Sequence, residues 1–81
     1  MSETEVYETL TEVFRDVFMR DIVVTPTLSA KDIAEWDSFR QIEIILASEA
    51  QFRVKFTTRE VDSLKCVGDL VKFIVTKTES N

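Results

Sequence analysis

Residues 35–51 decide the fold, and they read EWDSFRQIEIILASEAQ. Apolar residues recur so densely after Ser38 that the sequence predicts a helix from Ser38 to about Gln51. Its apolar face is wider than the single stripe that a surface helix needs. We therefore expect this helix either to be central in the fold or to expose part of its apolar face to a binding partner. The residues expected to share one side are Phe39, Ile42, Ile45, Leu46 and Glu49, with Ile44 and Ala47 widening the apolar face.

Two other amphipathic stripes and one capping pattern predict the remaining helices. The first stripe predicts a helix over about 3–19, after a capping box formed by Ser2 and Glu5, and consists of Val6, Leu10, Val13, Phe14 and Val17. Thr57-x-x-Glu60 is a second capping box and predicts a short helical turn near 58–63. The last stripe predicts a helix over about 67–77 and consists of Val67, Leu70, Val71, Ile74 and Val75. The sequence therefore predicts an all-α fold, a small antiparallel bundle of three main helices and one short helix.

The segments between these helices carry weaker signals. Helical periodicity disappears over residues 20–37, which we expect to form a long loop, and a loop of that length in a compact domain usually has a function. Residues 22–24 look locally like a strand, but Pro26 follows at once. Residues 29–32 could form one short turn, and residues 52–56 alternate like a strand that is too short to stand alone.

Composition limits the function. The chain has 81 residues and a mass of 9.4 kDa, so we expect residues 1–81 to form one domain. It has no histidine, which excludes Ser-His-Asp triads, Cys-His pairs and His-containing zinc sites. A single cysteine cannot form an internal disulfide. The acidic residues of the first helix lack the spacing of an EF-hand, so we expect no metal site.

Charge and hydropathy indicate the setting in which the protein works. The net charge of −5 argues against a nucleic-acid partner. Residues 1–37 carry nine acids and three bases, whereas residues 38–81 carry six acids and seven bases. No apolar run approaches the roughly 18 residues of a membrane span, and the acidic N-terminal residues do not look like a signal peptide. We therefore expect a cytoplasmic protein that does not insert into membranes.

Ser38 has a structural and a functional interpretation. In the first, Asp37 or Ser38 caps the helix, and Ser38-x-x-Gln41 forms a capping box. In the second, Ser38 holds an open hydroxyl at the positive end of the helix dipole, where backbone N–H groups can stabilise a phosphate esterified to it.

A wider pattern around Ser38 resembles a known family. Asp37-Ser38-Phe39, followed by residues 42–45, is similar to the signature Asp-Ser-Leu-x-x-(Ile/Val)-Glu-Leu-(Ile/Val) of acyl carrier proteins. Residues 67–71 resemble the Thr-Val-Gly-Asp-Leu start of the family's last helix, with Cys66 in place of the usual Thr. The register is kept over residues 37–74 without a gap.

This resemblance implies a stand-alone carrier domain with a four-helix bundle. It implies that Ser38, preceded by Asp37, is esterified with 4′-phosphopantetheine from coenzyme A, whose thiol carries an acyl group as a thioester. The protein would be a tether and not an enzyme. The implied partners are a phosphopantetheinyl transferase and the acyl-loading and acyl-processing enzymes of fatty acid, polyketide or other specialised biosynthesis, and we expect a monomer.

Several residues of the second helix depart from the family pattern. Phe39 replaces the usual Leu or Met, and with Ile42 and Leu46 it matches the apolar face that such proteins present to enzymes, although Phe39 could also pack in the core. Glu43 matches an acidic residue that the family has in this helix, and we expect it to bind partners together with Phe39, Ile42 and Leu46. Residues 38–55, however, hold two acids and three bases, which weakens the fit to the basic patches of housekeeping fatty acid enzymes.

Ser48 is a second departure, because the family usually has Leu there. Ser48 either lies at the edge of its helix or faces the interior. In the interior its hydroxyl would need a hydrogen bond, most simply to the carbonyl four residues back. The interior would then be smaller or more polar, which favours a short acyl or an aminoacyl cargo.

Three other residues receive simpler interpretations. Asp62-Ser63-Leu64 matches the Asp-Ser-Leu tripeptide literally, but the residues behind it do not fit, so we expect Ser63 to belong to a turn. We expect Trp36 to pack against the bundle and fix the approach of the loop to Ser38, with a role in partner contact as the alternative. Cys66 is expected to be a small apolar filler near the start of the last helix.

Two alternative functions stay open. An aminoacyl or peptidyl carrier protein of a nonribosomal system shares the fold and the serine, and differs in its cargo. An unmodified helical interaction module would use Ser38 only as a cap and the Phe39, Ile42 and Leu46 face for protein docking.

Overall fold

The computed structural model describes residues 2–79, which fold as an all-α four-helix bundle. The helices are α1 (Glu3–Phe18), α2 (Ser38–Phe52), α3 (Thr58–Ser63) and α4 (Val67–Glu79). This confirms the predicted fold class, and the predicted helix ends differ from the observed ones by at most two residues. Within these residues, no helix is long and apolar enough to cross a membrane.

Helix α1 lies against both α2 and α4 and supplies much of the core. The predicted capping box is present, since the Ser2 hydroxyl accepts from the Glu5 backbone and the Glu5 carboxylate accepts from the Ser2 backbone. The helix ends at Met19, which adopts a left-handed conformation with φ of 59°. The fully or almost fully buried residues of α1 are Val6, Leu10, Val13, Phe14 and Phe18.

Helix α2 has two apolar faces, and the structure corrects the predicted grouping of its residues. Ile45 is only 7% exposed and lies on the core side with Ile44 and Phe52. The prediction that Ile45 shares a side with Phe39 is therefore wrong, because Phe39 is 60% exposed. The core side is held against α1, and the other apolar side remains open to solvent.

The long loop before α2 is anchored by its own buried side chains. Ile22, Leu28 and Ile33 are buried in the same core cluster as the helices. The locally strand-like residues 22–24 form no strand, since no strand is assigned within residues 2–79. The predicted short turn at residues 29–32 is present.

The segment between α2 and α3 is a turn fixed by one glutamate. Helix α2 ends at Arg53 in the left-handed conformation, with φ of 56°. Glu49 then accepts three backbone hydrogen bonds: Arg53 and, at 3.2 Å, Val54 donate to its carbonyl, and Phe56 donates to its carboxylate at 2.8 Å. The alternation over residues 52–56 thus reflects a turn that buries Val54, and α3 starts with the predicted capping box at Thr57.

Candidate functional site

Ser38 is the first residue of α2, and its side chain is exposed. The residue before it caps the helix, since the Asp37 carboxylate accepts a hydrogen bond of 2.9 Å from the Arg40 backbone. Because Asp37 is the N-cap residue of α2, the Ser38 hydroxyl is not needed as a cap. The hydroxyl makes no hydrogen bond to any described residue and stands beside the positive end of the helix dipole.

The predicted Ser38-x-x-Gln41 capping box is wrong. The side chain of Gln41 is engaged elsewhere, because its Oε1 accepts a hydrogen bond of 2.7 Å from the indole Nε1 of Trp36. A helix has one N-cap position, and in α2 it is occupied by Asp37. The contact with Trp36 was not predicted, because the spacing of Ser38 and Gln41 had the simpler capping interpretation.

Trp36 packs against the bundle, as predicted, and fixes the end of the long loop. Its ring meets Phe14 edge to face with a centroid separation of 5.3 Å and lies 6.1 Å from the ring of Phe18. The indole is thus held from α1 by ring contacts and from α2 by its hydrogen bond. This arrangement sets the position from which the chain enters Asp37 and Ser38.

A cavity of about 530 Å³ opens directly beside Ser38. It runs along the first turns of α2 and is bordered on the other side by residues of α3 and the start of α4. Its apolar lining includes Ile44, Leu64 and Leu70, and its polar lining includes Gln41 and Lys65. Such a mixed lining suits a ligand that alternates apolar and hydrogen-bonding groups.

The open side of α2 presents three large apolar residues in a row. Phe39, Ile42 and Leu46 are 60%, 57% and 59% exposed, so the interpretation of Phe39 as core packing is wrong. Their spacing places them on one face of the helix. We call these three residues the α2 face.

A charged pair borders the α2 face. Arg40 and Glu43 form an ion pair of 2.6 Å, and the Arg40 guanidinium lies 5.7 Å from the centre of the Phe39 ring. The two charges cancel, so the face is apolar and close to neutral. A second depression, of about 400 Å³, lies between Glu43, Leu46 and α1.

Ser48 faces the interior of the bundle and is completely buried. Its hydroxyl has no hydrogen-bond partner among the described residues. Both the helix-edge position and the predicted bond to the carbonyl four residues back are therefore wrong. A buried hydroxyl without a partner is an unfavourable feature of an otherwise apolar core.

The remaining candidate residues take structural positions. Ser63 is the last residue of α3, and its hydroxyl donates to the Glu60 carbonyl at 2.8 Å, so it belongs to the short helix and not to the predicted turn that follows it. Cys66 directly precedes α4, is half-buried and lines the cavity beside Ser38. Within residues 2–79, no group of acidic or cysteine side chains is arranged to hold a metal ion.

No family model matches the chain, but curated relatives and a solved structure are similar to it. It is 33% identical over 81 residues to an acyl carrier protein from Acidothermus cellulolyticus, covering 99% of this chain and 96% of the relative. It is 31% identical to a meromycolate extension acyl carrier protein from Mycolicibacterium aurum, covering 99% and 84%. The solution structure of a holo acyl carrier protein from Geobacter metallireducens matches with a TM-score of 0.85 and 39% identity, covering 91% of this chain and 86% of that one.

Proposed function

Since the chain belongs to the acyl carrier protein family, we propose that Ser38 bears a 4′-phosphopantetheine arm on which the protein delivers acyl groups to separate enzymes. When bound, the arm supplies a thiol that holds the cargo as a thioester, at an effective concentration of roughly millimolar for a docked enzyme. The family consists of carriers and not of catalysts.

The position of Ser38 carries this proposal. Its hydroxyl is exposed, free of hydrogen bonds to described residues, and located at the first residue of a fifteen-residue helix. A phosphate esterified there would face the unpaired N–H groups of the first turn. Asp37 keeps this end of α2 capped without using the Ser38 side chain. The adjoining cavity has room for part of a long arm.

The α2 face is proposed as the surface on which partner enzymes dock. Phe39, Ile42 and Leu46 form an exposed apolar row beginning one residue after the attachment serine, so a partner bound there would have its active site near the arm. Glu43 at its border is paired with Arg40 and offers little net negative charge. We therefore propose partners that recognise the face by apolar contact more than by a basic patch.

The buried hydroxyl of Ser48 supports a short or polar cargo. A long hydrocarbon chain would have to enter the interior of the bundle, where the buried Ser48 hydroxyl already lacks a partner. We propose a short acyl group on a fatty acid, polyketide or other specialised pathway. An aminoacyl or peptidyl cargo is the second candidate, because the same hydroxyl could pair with a polar group.

Intact mass after incubation with coenzyme A and a promiscuous phosphopantetheinyl transferase tests the attachment. Wild type and Ser63→Ala should each gain one phosphopantetheinyl group, and Ser38→Ala should gain none. Ser63→Ala is the matched control, because it removes the serine of the literal Asp-Ser-Leu tripeptide. If none of the folded proteins gains mass while a known carrier is modified in parallel, the result would contradict the carrier function and favour the unmodified interaction module.

The cargo is tested by loading the holo protein with short, medium and long straight acyl chains and measuring each thermal midpoint. A chain that binds within the folded protein raises the midpoint by mass action. We expect a rise for short chains only, and a shift of the rise toward longer chains in Ser48→Ala, which removes the hydroxyl without adding volume at a completely buried position. A larger rise for the long chain in wild type would contradict the short-cargo proposal.

A further inference from the structure

Gln41 occupies a defined place in the cavity beside Ser38. It follows Ser38 by three residues, so it lies about 4.5 Å farther along the helix axis and close to the same face. Both residues line the cavity, together with Trp36 on the loop side. A group attached to Ser38 and directed into this cavity would pass the Gln41 side chain.

The contact with Trp36 determines which end of the Gln41 amide is available. An indole Nε1 can only donate, so the atom that it contacts at 2.7 Å must be the amide oxygen of Gln41. The amide nitrogen is then left with two N–H donors. Neither donor has a partner among residues 2–79, and Gln41 is half-buried on the cavity wall.

The orientation of this amide is fixed before any ligand arrives. Trp36 is itself held by the ring of Phe14, 5.3 Å away, so it presents its N–H to Gln41 from a rigid position. A donor that is held in place loses less conformational entropy on binding than a mobile one. Lys65 is the other strong side-chain donor that lines the cavity, but it is exposed, and within residues 2–79 no ring or hydrogen bond holds its side chain.

We propose that Gln41 is a binding residue for the arm, and that its amide N–H groups donate to an amide carbonyl oxygen of the pantetheine. The phosphate stays at Ser38, beside the start of the helix, so the group that reaches Gln41 is the next part of the arm. The apolar lining from Ile44 and Leu70 suits the methyl and methylene groups between the arm's polar atoms. The arm would then rest along the cavity and not extend freely into solvent.

This inference rests on attachment at Ser38, and NMR of the holo protein tests it separately from that attachment. Intact mass first establishes that each sample is fully converted, so a sample without mass gain counts against the proposed function alone. In converted wild type, we expect nuclear Overhauser contacts between the arm and the side-chain NH₂ of Gln41. Absence of these contacts in fully converted wild type would overturn the inference.

Two variants of Gln41 separate its hydrogen bonds. Gln41→Glu keeps an oxygen acceptor for Trp36 but removes the N–H donors, and Gln41→Met removes the donors without adding a charge. In both variants we expect contacts between the arm and the cavity residues Leu64 and Leu70 to be lost. Only Gln41→Glu should preserve the indole N–H chemical shift. Gln51→Glu, the same exchange at an exposed position near the end of α2, is the matched control and should retain the contacts.

Contacts that persist in both Gln41 variants would overturn the assignment. Lys65→Met tests the other donor in the cavity. If the contacts between the arm and the cavity residues are lost in that variant alone, Lys65 and not Gln41 binds the arm. Circular dichroism of each variant shows that any loss of contacts comes from the side chain and not from unfolding.

Discussion

The backbone N–H of Gly68 donates a hydrogen bond of 2.9 Å to the carbonyl oxygen of Pro26. The neighbouring Val67 N–H donates to the Leu28 carbonyl at 2.8 Å. Two of the N–H groups at the start of α4, which have no partner within the helix, are thus satisfied by the long loop. This contact fixes the loop against α4 while Trp36 fixes its other end beside α2.

Gly68→Ala should destabilise the protein. A Cβ at position 68 would lie 3.0 Å from the Pro26 carbonyl oxygen, which is backbone and is already held by the Gly68 N–H. Moving that carbonyl weakens the hydrogen bond, and we expect a net loss of about 1 kcal/mol even though alanine favours helix. Chemical denaturation measures the loss. Thr76→Ala, at an exposed position of the same helix, is the control, and equal effects of the two changes would contradict the close contact.

Cys66→Thr should stabilise the protein. The Cys66 carbonyl accepts from the Asp69 backbone at 3.1 Å, so Cys66 occupies the capping position of α4 with a side chain that is a weak acceptor. A threonine hydroxyl can accept from the first turn, and we expect a gain of about 0.5–1 kcal/mol. Cys66→Val fills similar space without an acceptor and should show no gain. A rise in the thermal midpoint of both variants would assign the effect to packing.

Ile45→Ala and Leu46→Ala should separate stability from docking. Ile45 is 7% exposed in the core, so its truncation should cost about 2–4 kcal/mol of unfolding free energy. Leu46 is 59% exposed, so its truncation should leave the thermal midpoint nearly unchanged while weakening binding to a partner enzyme. Calorimetry and a binding titration with the transferase measure the two effects. Equal loss of stability in both variants would contradict the assignment of the two faces.

The pair Ile45 and Leu46 also shows where sequence periodicity stops being informative. Three apolar residues in a row, 44–46, occur in α2, so a helical period does not decide which of them faces inward. The packing against α1 makes that choice. In α1 and α4 most of each predicted stripe is buried, but Val17 of α1 and Val75 of α4 are only partly buried, and Phe18 is buried in place of Val17.

The sequence indicates which serine is the candidate attachment residue, but it does not predict the contacts of the side chains around that serine. Two adjacent residues, Asp37 and Ser38, can both cap a helix, and local sequence cannot choose between them. The contact between Trp36 and Gln41 depends on where the loop returns to α2, which is a tertiary property. The position of Ser48 likewise depends on how α2 is rotated against its neighbours.

Ser48→Ala should stabilise the apo protein. The hydroxyl is completely buried without a partner in residues 2–79, and such a group typically costs about 1–3 kcal/mol. Alanine removes this cost but leaves a small void, which offsets part of the gain. We therefore expect a net gain of about 1 kcal/mol in the free energy of unfolding. Urea unfolding measures it, and Ser63→Ala is the control because that hydroxyl is exposed and hydrogen-bonded. A clear loss of stability in Ser48→Ala would show that the hydroxyl is satisfied in solution, for example by a buried water.

Glu60 links α3 to α4 and makes stability depend on pH. One carboxylate oxygen accepts from the Thr57 backbone at 2.9 Å, and the other lies 3.0 Å from the Lys77 ammonium. The hydrogen bond from the Thr57 backbone, followed by the one from Lys77, holds the pKa of Glu60 below its usual value of about 4.5. Because the folded state lowers this pKa, the stabilisation is complete above that usual value and is lost as the pH falls through the folded value.

Glu60→Gln should therefore remove part of the acid sensitivity of the fold. Glutamine keeps an oxygen that can accept from Thr57 but cannot ionise, so the variant should be less stable than wild type at neutral pH and approach it in acid. Thermal unfolding from about pH 7 to about pH 3 measures both curves. Glu12→Gln, an exposed carboxylate on α1 that no described residue pairs with, is the control and should follow wild type. A constant gap between Glu60→Gln and wild type across this range would show that the carboxylate contributes no ionisation-linked stability.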